Sequence, residues 1–565
     1  MTAYGEHDGV HGLQQGGAAR EWSAAHKKIK VSGHDASNEF LANAVLAVCA
    51  KVRHSIVYFQ FEGHTMNIEL FLKHWGIREN PFKAEEARSD DIYERIMDGA
   101  IAHPDFEKIY GSPAHSGTSV VFGEKGSGKT AIRLMIENKL SKHNRDSPNE
   151  AVWVVLYDDL NPVLDRIQQH TRKKKKDELG EIRLADHMDA ILSLITTRLV
   201  NFLTGDDLDI PSARKKRARL RRMDRQQRVD LALLAALYDQ PRSGDPVTRW
   251  NKVIRALRVG RKISLRFLFS MGLAFACLGL LVSLLLVVMS DNALVLGLTA
   301  AASGVVSIAA LVKWFTEALR IRRLQRQVDK ETRVIEWLPG ELTRKLGHLS
   351  AADLRPLPLP VPNSQDSRFN LFARLHSILS EIGFVKTVVL VDRVDEPSLV
   401  NGDPERMRKI VWPLLNNKFL QQEGMGLKLL LPIELGHLLK KEDADFYQKA
   451  RLDKQNMIER LTWSGSSLYD ICTQRLLGCV EAESPVKKLT DLFDEGVTAA
   501  ELSEALGQML HPRDAFKFLY RVVQEHCQGS TDDGDQWRIP KLALDHVRKQ
   551  EAQRMHDFHA GYGPG

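Results

Sequence analysis

Four short runs of aliphatic and β-branched residues stand out against a mostly polar background: TSVVF at 118–122, VWVVLY at 152–157, TVVLV at 387–391 and LKLLLPIEL at 427–435. None alternates apolar with polar, as a half-solvated strand would, so each predicts a strand buried on both faces. Segments with helical spacing adjoin them: AIRLMIENKL follows the first run, DDLNPVLDRI the second, and FNLFARLHSILSEIGF leads into the third. Buried strands alternating with amphipathic helices predict an α/β fold with a parallel sheet flanked by helices.

Two further runs break this rhythm. Residues 267–289 and 293–312 contain no charge and are separated only by Ser290, Asp291 and Asn292. At about 1.5 Å per helical residue, each is long enough to cross a hydrocarbon core of roughly 30 Å. The expectation is a transmembrane hairpin inserted at one edge of the α/β domain. Lys252, Arg255, Arg258, Arg261, Lys262 and Arg266 precede it, and Lys313, Arg320, Arg322, Arg323 and Arg326 follow. The tip has no basic residue, so both large flanks are expected on the cytoplasmic side of an inner membrane. Small residues recur down one face of each run, Gly272, Ala276, Gly279 and Ser283 on the first and Gly297, Ala300, Gly304 and Ser307 on the second. Such stripes let two helices approach closely in lipid.

Composition adds limits. Charged residues make up 27% and hydrophobic residues 43%, so the rest of the chain reads as ordinary globular protein. Residues 1–30 lack the apolar core of a signal peptide. Five cysteines show neither a CxxC pair nor zinc spacing, as expected of free thiols in a reducing compartment. The net charge is only +7, yet nine basic residues crowd into 214–228. Without interleaved aromatics to stack on bases, that run suits anionic lipid headgroups better than nucleic acid. RKKKKDELGE at 172–181 reads as a solvated loop, and RPLPLPVPNSQDS at 355–367 as a stiff linker.

The chemistry begins where the first strand ends. Gly123-Glu124-Lys125-Gly126-Ser127-Gly128-Lys129-Thr130 fits G-x-x-x-x-G-K-[ST] in strand–loop–helix context. Its glycines let backbone N–H groups turn toward phosphate oxygens at a helix N-terminus. Gly123, Gly126, Ser127, Gly128, Lys129 and Thr130 are therefore the candidate nucleotide-binding residues. Lys129 suits the β- and γ-phosphates, and Thr130 suits Mg²⁺. The third strand ends in Asp392, which suits the same metal, with Asp395 and Glu396 both open as general base. Glu434, at the end of the fourth, is placed to sense phosphate. NNKF at 416–419 comes near the guanine-reading N-K-x-D, but residue 420 is Leu, which argues for ATP over GTP.

A hairpin placed between the phosphate loop and the acidic strand resembles the KAP family of P-loop NTPases. The resemblance covers about residues 66–530 and implies a membrane-anchored ATPase facing the cytoplasm, with roles in phage exclusion or membrane-associated signalling. The family usually shows two adjacent aspartates after the strand, whereas here the sequence is D-R-V-D-E, closer to signalling NTPases of the NACHT type. HWGIRENPF and HPRDAFKFLYRVV also resemble AAA+ ATPases of the origin-recognition type. That likeness implies that Arg513 begins a lid helix and touches the γ-phosphate, with Pro512 a suitable first-turn residue.

The resulting division is an N-terminal extension at 1–65 (with one helix-like run at 38–52, and Met66 as a candidate native start), a first NTPase part at 66–205, and a basic juxtamembrane region at 206–262. The hairpin follows at 263–315, a membrane-proximal helix and linker at 316–365, the second NTPase part at 366–440 and a helical C-terminal lid at 441–565. The implied cofactors are ATP and Mg²⁺. The implied partners are the bilayer with its anionic headgroups and further copies of the chain, with nucleic acid the weaker candidate. The rival readings are a nucleotide-gated membrane scaffold with little turnover and a nucleic-acid-linked AAA+ ATPase.

Overall fold

A computed structural model describes residues 67–559 except 84–86, 115–116, 173–181, 208–209, 242–243, 260–264, 290–292, 350–353, 355–357, 361–365 and 530–535. The helix-like run at 38–52, the tip 290–292 and most of the expected loop at 172–181 and linker at 355–367 lie outside the described residues.

Five parallel strands form one sheet in the order β2-β3-β4-β1-β5. They are β1 (Ser119–Gly123), β2 (Ala151–Tyr157), β3 (Phe384–Val391), β4 (Met425–Pro432) and β5 (Asn456–Ile458). The first four correspond to the four hydrophobic runs. The fourth stops short of its expected end, because Pro432 caps a helix over Ile433–Leu439 that takes Glu434 into its first turn. The strand of the glycine loop and the strand of Asp392 are not neighbours, since β4 pairs with both.

Alternate residues of each strand enter different cores, as strand geometry requires. Val120, Phe122, Val389, Val391, Leu429 and Leu431 join the helical insert on one face. Val121, Val388, Leu390 and Leu430 meet helix α1 (Lys129–Asp146) on the other. Ile132, Met135, Ile136 and Leu140 of α1 recur at helical spacing toward the sheet, each burial stabilising by about 1.5–3 kcal/mol.

Between β2, at the sheet edge, and β3 the described residues form a mainly helical insert. Its innermost helices are α2 (Leu184–Thr204) and α3 (Arg225–Tyr238), whose run from Val229 to Tyr238 is buried on all sides. Buried ion pairs break the apolar packing, two of them on carboxylates of α2. Arg333 donates from Nε to Asp186 at 3.1 Å. Arg368 makes two bonds to Asp189 at 2.8 and 2.7 Å, and the Tyr238 hydroxyl donates to the same carboxylate at 2.9 Å. Of the basic run, Ala213–Arg222 forms a helix that buries Lys216 and Leu220 and exposes Arg214, Lys215, Arg219, Arg221 and Arg222.

The two long apolar runs form consecutive helices, α4 (Leu265–Met289) and α5 (Ala293–Glu331), which pack along each other. The expected transmembrane hairpin, and with it the multi-pass inner-membrane location and the bilayer contact through two spans, is overturned. No helix among the described residues is long and apolar enough to cross a membrane. The second run does not end as a span but continues as one helix into charged sequence through Lys313, Arg320 and Arg326. The small-residue stripes meet only in part. A Cβ on Gly272 would lie 3.3 Å from that of Ala310, whereas Gly304 faces open space. The packing of Ser283, Gly297 and Ala300 lies outside what is described.

The remaining core joins the N-terminal segment to the C-terminal helices. Phe71, Trp75, Ile77 and Phe82 pack with Leu468 and Cys472 of α6 (Gly465–Leu477), Leu502 of α7 (Ala499–Gly507) and Phe518 and Val522 of α8 (Pro512–Gly529). Cys277, Cys472, Cys479 and Cys527 are free thiols.

Candidate functional site

The loop between β1 and α1 is held in a conformation that its glycines alone allow. Gly126 and Gly128 have φ of +91° and +94°, a region costly for any residue with a Cβ. Gly128 is the N-cap of α1, so the unpaired N–H groups of the first turn open into the loop. A Cβ on Gly123 would lie 2.5 Å from the Ser127 hydroxyl. That hydroxyl is fully buried and has no hydrogen-bond partner.

Lys129 turns back over the loop and donates to the carbonyls of Gly123 at 2.7 Å and Glu124 at 2.9 Å. Burial lowers its pKa, while Asp395, Asp392 and Glu434 oppose that shift. The Thr130 hydroxyl donates to Asp392 Oδ2 at 3.1 Å, although Thr130 lies on the helix that follows β1 and Asp392 just after β3, two strands that do not pair. Asp392 is 1% exposed, and burial raises its pKa against the pull of Arg133 and Thr130. Immediately after it, Arg393 takes φ +59°, a strained backbone state of the kind that collects at working sites. Arg393 forms an ion pair with Glu396, which raises its pKa.

The sequence left Asp395 and Glu396 unranked. Glu396 is exposed and engaged by Arg393. Asp395 is half-buried and is the strongest of the acids acting on Lys129. Both line a cavity of about 410 Å³, together with Gly126, Gly128, Lys129, Thr130, Asp392 and Arg513. Glu434 lines it too.

Contacts from Arg513, His511, Arg460 and Trp463 tie the loop to the C-terminal region, and none was legible in the motif. Arg513, in the first turn of α8, packs on Gly126 closely enough that a Cβ there would sit 3.0 Å from its own. Glu124 pairs with His511 Nε2 at 2.6 Å. Burial alone would push the Glu124 pKa up, but His511 and Arg460 together hold it below the usual carboxylate value. Trp463 donates from Nε1 to the Ser127 carbonyl at 2.8 Å, and its ring meets His103 edge-on.

Asn416 caps the helix Asn417–Leu420, and Phe419 and Leu420 are core residues, so the near-match to a guanine-reading motif is taken up by packing. Among the described residues, no cluster of three or more His, Cys, Asp or Glu is placed to hold a metal by itself. A Mg²⁺ site built from one hydroxyl, one carboxylate, phosphate oxygens and water needs no such cluster. Comparison with protein families, with curated proteins and with solved structures returns no match for this chain.

Proposed function

We propose that the chain binds ATP with Mg²⁺ at residues 123–130 and hydrolyses it, with the C-terminal helices acting as a lid, in the manner of the KAP-type P-loop NTPases its sequence resembles. The observation that carries this reading is the meeting of the glycine loop, the N-terminus of α1 and Asp392 at the mouth of one cavity. The residues present suit the group. Two left-handed glycines leave room for phosphate oxygens against the backbone, and the Ser127 hydroxyl is buried without a partner. The cavity volume falls in the range usual for small-molecule and cofactor sites.

In this account the loop N–H groups hold the β-phosphate, and Lys129 exchanges its two loop carbonyls for phosphate oxygens. Thr130 and Asp392 would hold Mg²⁺, which when bound neutralises charge shared by the β- and γ-oxygens. Asp395, rather than the engaged Glu396, accepts the proton of the attacking water. Arg513, already seated on the loop, extends to the γ-phosphate and links its departure to the lid.

Phosphate release under multiple turnover tests this directly. Asp395→Asn should slow release by about a hundredfold or more while ATP still binds, Glu396→Gln by much less, and Arg513→Ala should lower turnover more than binding. A chain that binds ATP but releases no phosphate over many equivalents would replace hydrolysis with nucleotide gating.

A further inference from the structure

Arg133 occupies a position where a helix packed on a sheet ordinarily carries an aliphatic side chain. It lies one turn beyond Thr130 on α1 and is 2% exposed. Its guanidinium faces carboxylates from three segments. Nε is 3.3 Å from Asp392 Oδ2, Nη1 pairs with Glu137 one turn on, and Nη1 is 3.9 Å from Asp158 just beyond β2. The contact to Asp392 has ion-pair distance without hydrogen-bond alignment, since Nε makes no hydrogen bond. Thr130 donates to that same Oδ2.

We propose that Arg133 is a positioning residue: it fixes Asp392 with one carboxylate oxygen turned inward, onto Thr130 and Arg133, and leaves the other for the water shell of nucleotide-bound Mg²⁺. The proposal rests on the ATP-Mg²⁺ reading of the site. A carboxylate turns easily about its last torsion, so one hydrogen-bond donor and one cation converging on the same oxygen decide which oxygen is free. The Thr130 hydroxyl has a single hydrogen. Spending it on Asp392 directs the lone pairs away from Asp392, where a metal can use them. Without a cation at 133, Asp392, Asp158 and Glu137 would face one another as like charges, and Asp392 would lose its set orientation. The planar fork of arginine reaches several carboxylates at once, which a lysine ammonium does less well.

The test is the gain in ATP affinity on adding Mg²⁺, measured calorimetrically on the full chain. Groups that orient a metal ligand are typically worth 10- to 100-fold in metal affinity. Arg133→Gln should bind Mg²⁺-free ATP within about twofold of the parent, yet lose roughly tenfold of the Mg²⁺-dependent gain. Arg133→Lys, which restores the cation but not the fork, should recover only part of that gain. If Arg133→Gln does not fold, Arg133→Gln with Glu137→Gln removes the cation and one carboxylate together and takes the same measurement. A variant that gains as much from Mg²⁺ as the parent overturns the proposal, as does one whose Mg²⁺-free affinity falls equally. A parent chain that binds no ATP at all would instead remove the reading on which the proposal stands.

Discussion

His187 should make the protein sensitive to mild acid through one proton. The imidazole is 1% exposed on α2, where Nε2–H donates to the Ile410 carbonyl at 2.9 Å and Nδ1 accepts from the Tyr157 hydroxyl at 2.9 Å. It thereby joins the last residue of β2 to the helix Pro404–Val411. Burial lowers its pKa from 6.5 to about 4, and neither Asp186 nor Ile410 restores it. In the unfolded chain the ring takes up a proton as pH falls through about 6.5, while the folded chain resists until about 4. Stability from this group is therefore complete above pH 6.5 and lost as pH falls toward 4. At about 1.4 kcal/mol per pKa unit the full loss is about 3 kcal/mol, of which about 2 is reached by pH 5. His187→Gln keeps a donor for Ile410 and an acceptor for Tyr157 but does not titrate. Urea unfolding of parent and variant at pH 7.5, 6.0 and 5.0 should show the parent losing about 2 kcal/mol more than the variant. Equal losses in the two proteins would refute the assignment.

Arg368→Met leaves Asp189 buried with only Tyr238 as a partner. It should cost about 3–5 kcal/mol in thermal unfolding, most of it recovered when Asp189→Leu is added. Gly126→Ala forces a Cβ into a backbone at φ +91° and against Arg513, a strain of about 1–3 kcal/mol. ATP affinity should fall roughly tenfold with the secondary structure unchanged by circular dichroism. Parent-like affinity would show that the loop is not held in this conformation when nucleotide binds.

Much of the scaffold could be read from local pattern. The glycine loop was legible because its strand, turn residues and helix are contiguous, and β1 to β4 were legible because strands buried on both faces lose polar alternation. β5 was missed, since three residues carry too little pattern. Arg133 was missed for the opposite reason: an arginine at a core position reads as a surface residue until Asp392, brought from a distant strand, supplies its partner. The contacts of Glu124 with His511 and of Trp463 with Ser127 join residues more than three hundred positions apart, which no local window detects. The hairpin shows a window misleading in the other direction. Uncharged length in the sequence suggested two spans, but the second run is the opening of a longer helix with a charged continuation.

ATP binding and phosphate release by the parent and Lys129→Ala, measured on the same preparations, test the central claim most directly. Lys129 is the residue whose ammonium is held at the loop, and a charge-assisted bond to phosphate is worth about 1.5–3 kcal/mol. The account predicts saturable Mg²⁺-ATP binding with phosphate release by the parent, affinity weakened by about 10- to 100-fold in the variant, and turnover lost with it. A variant that binds and hydrolyses ATP like the parent would contradict the account.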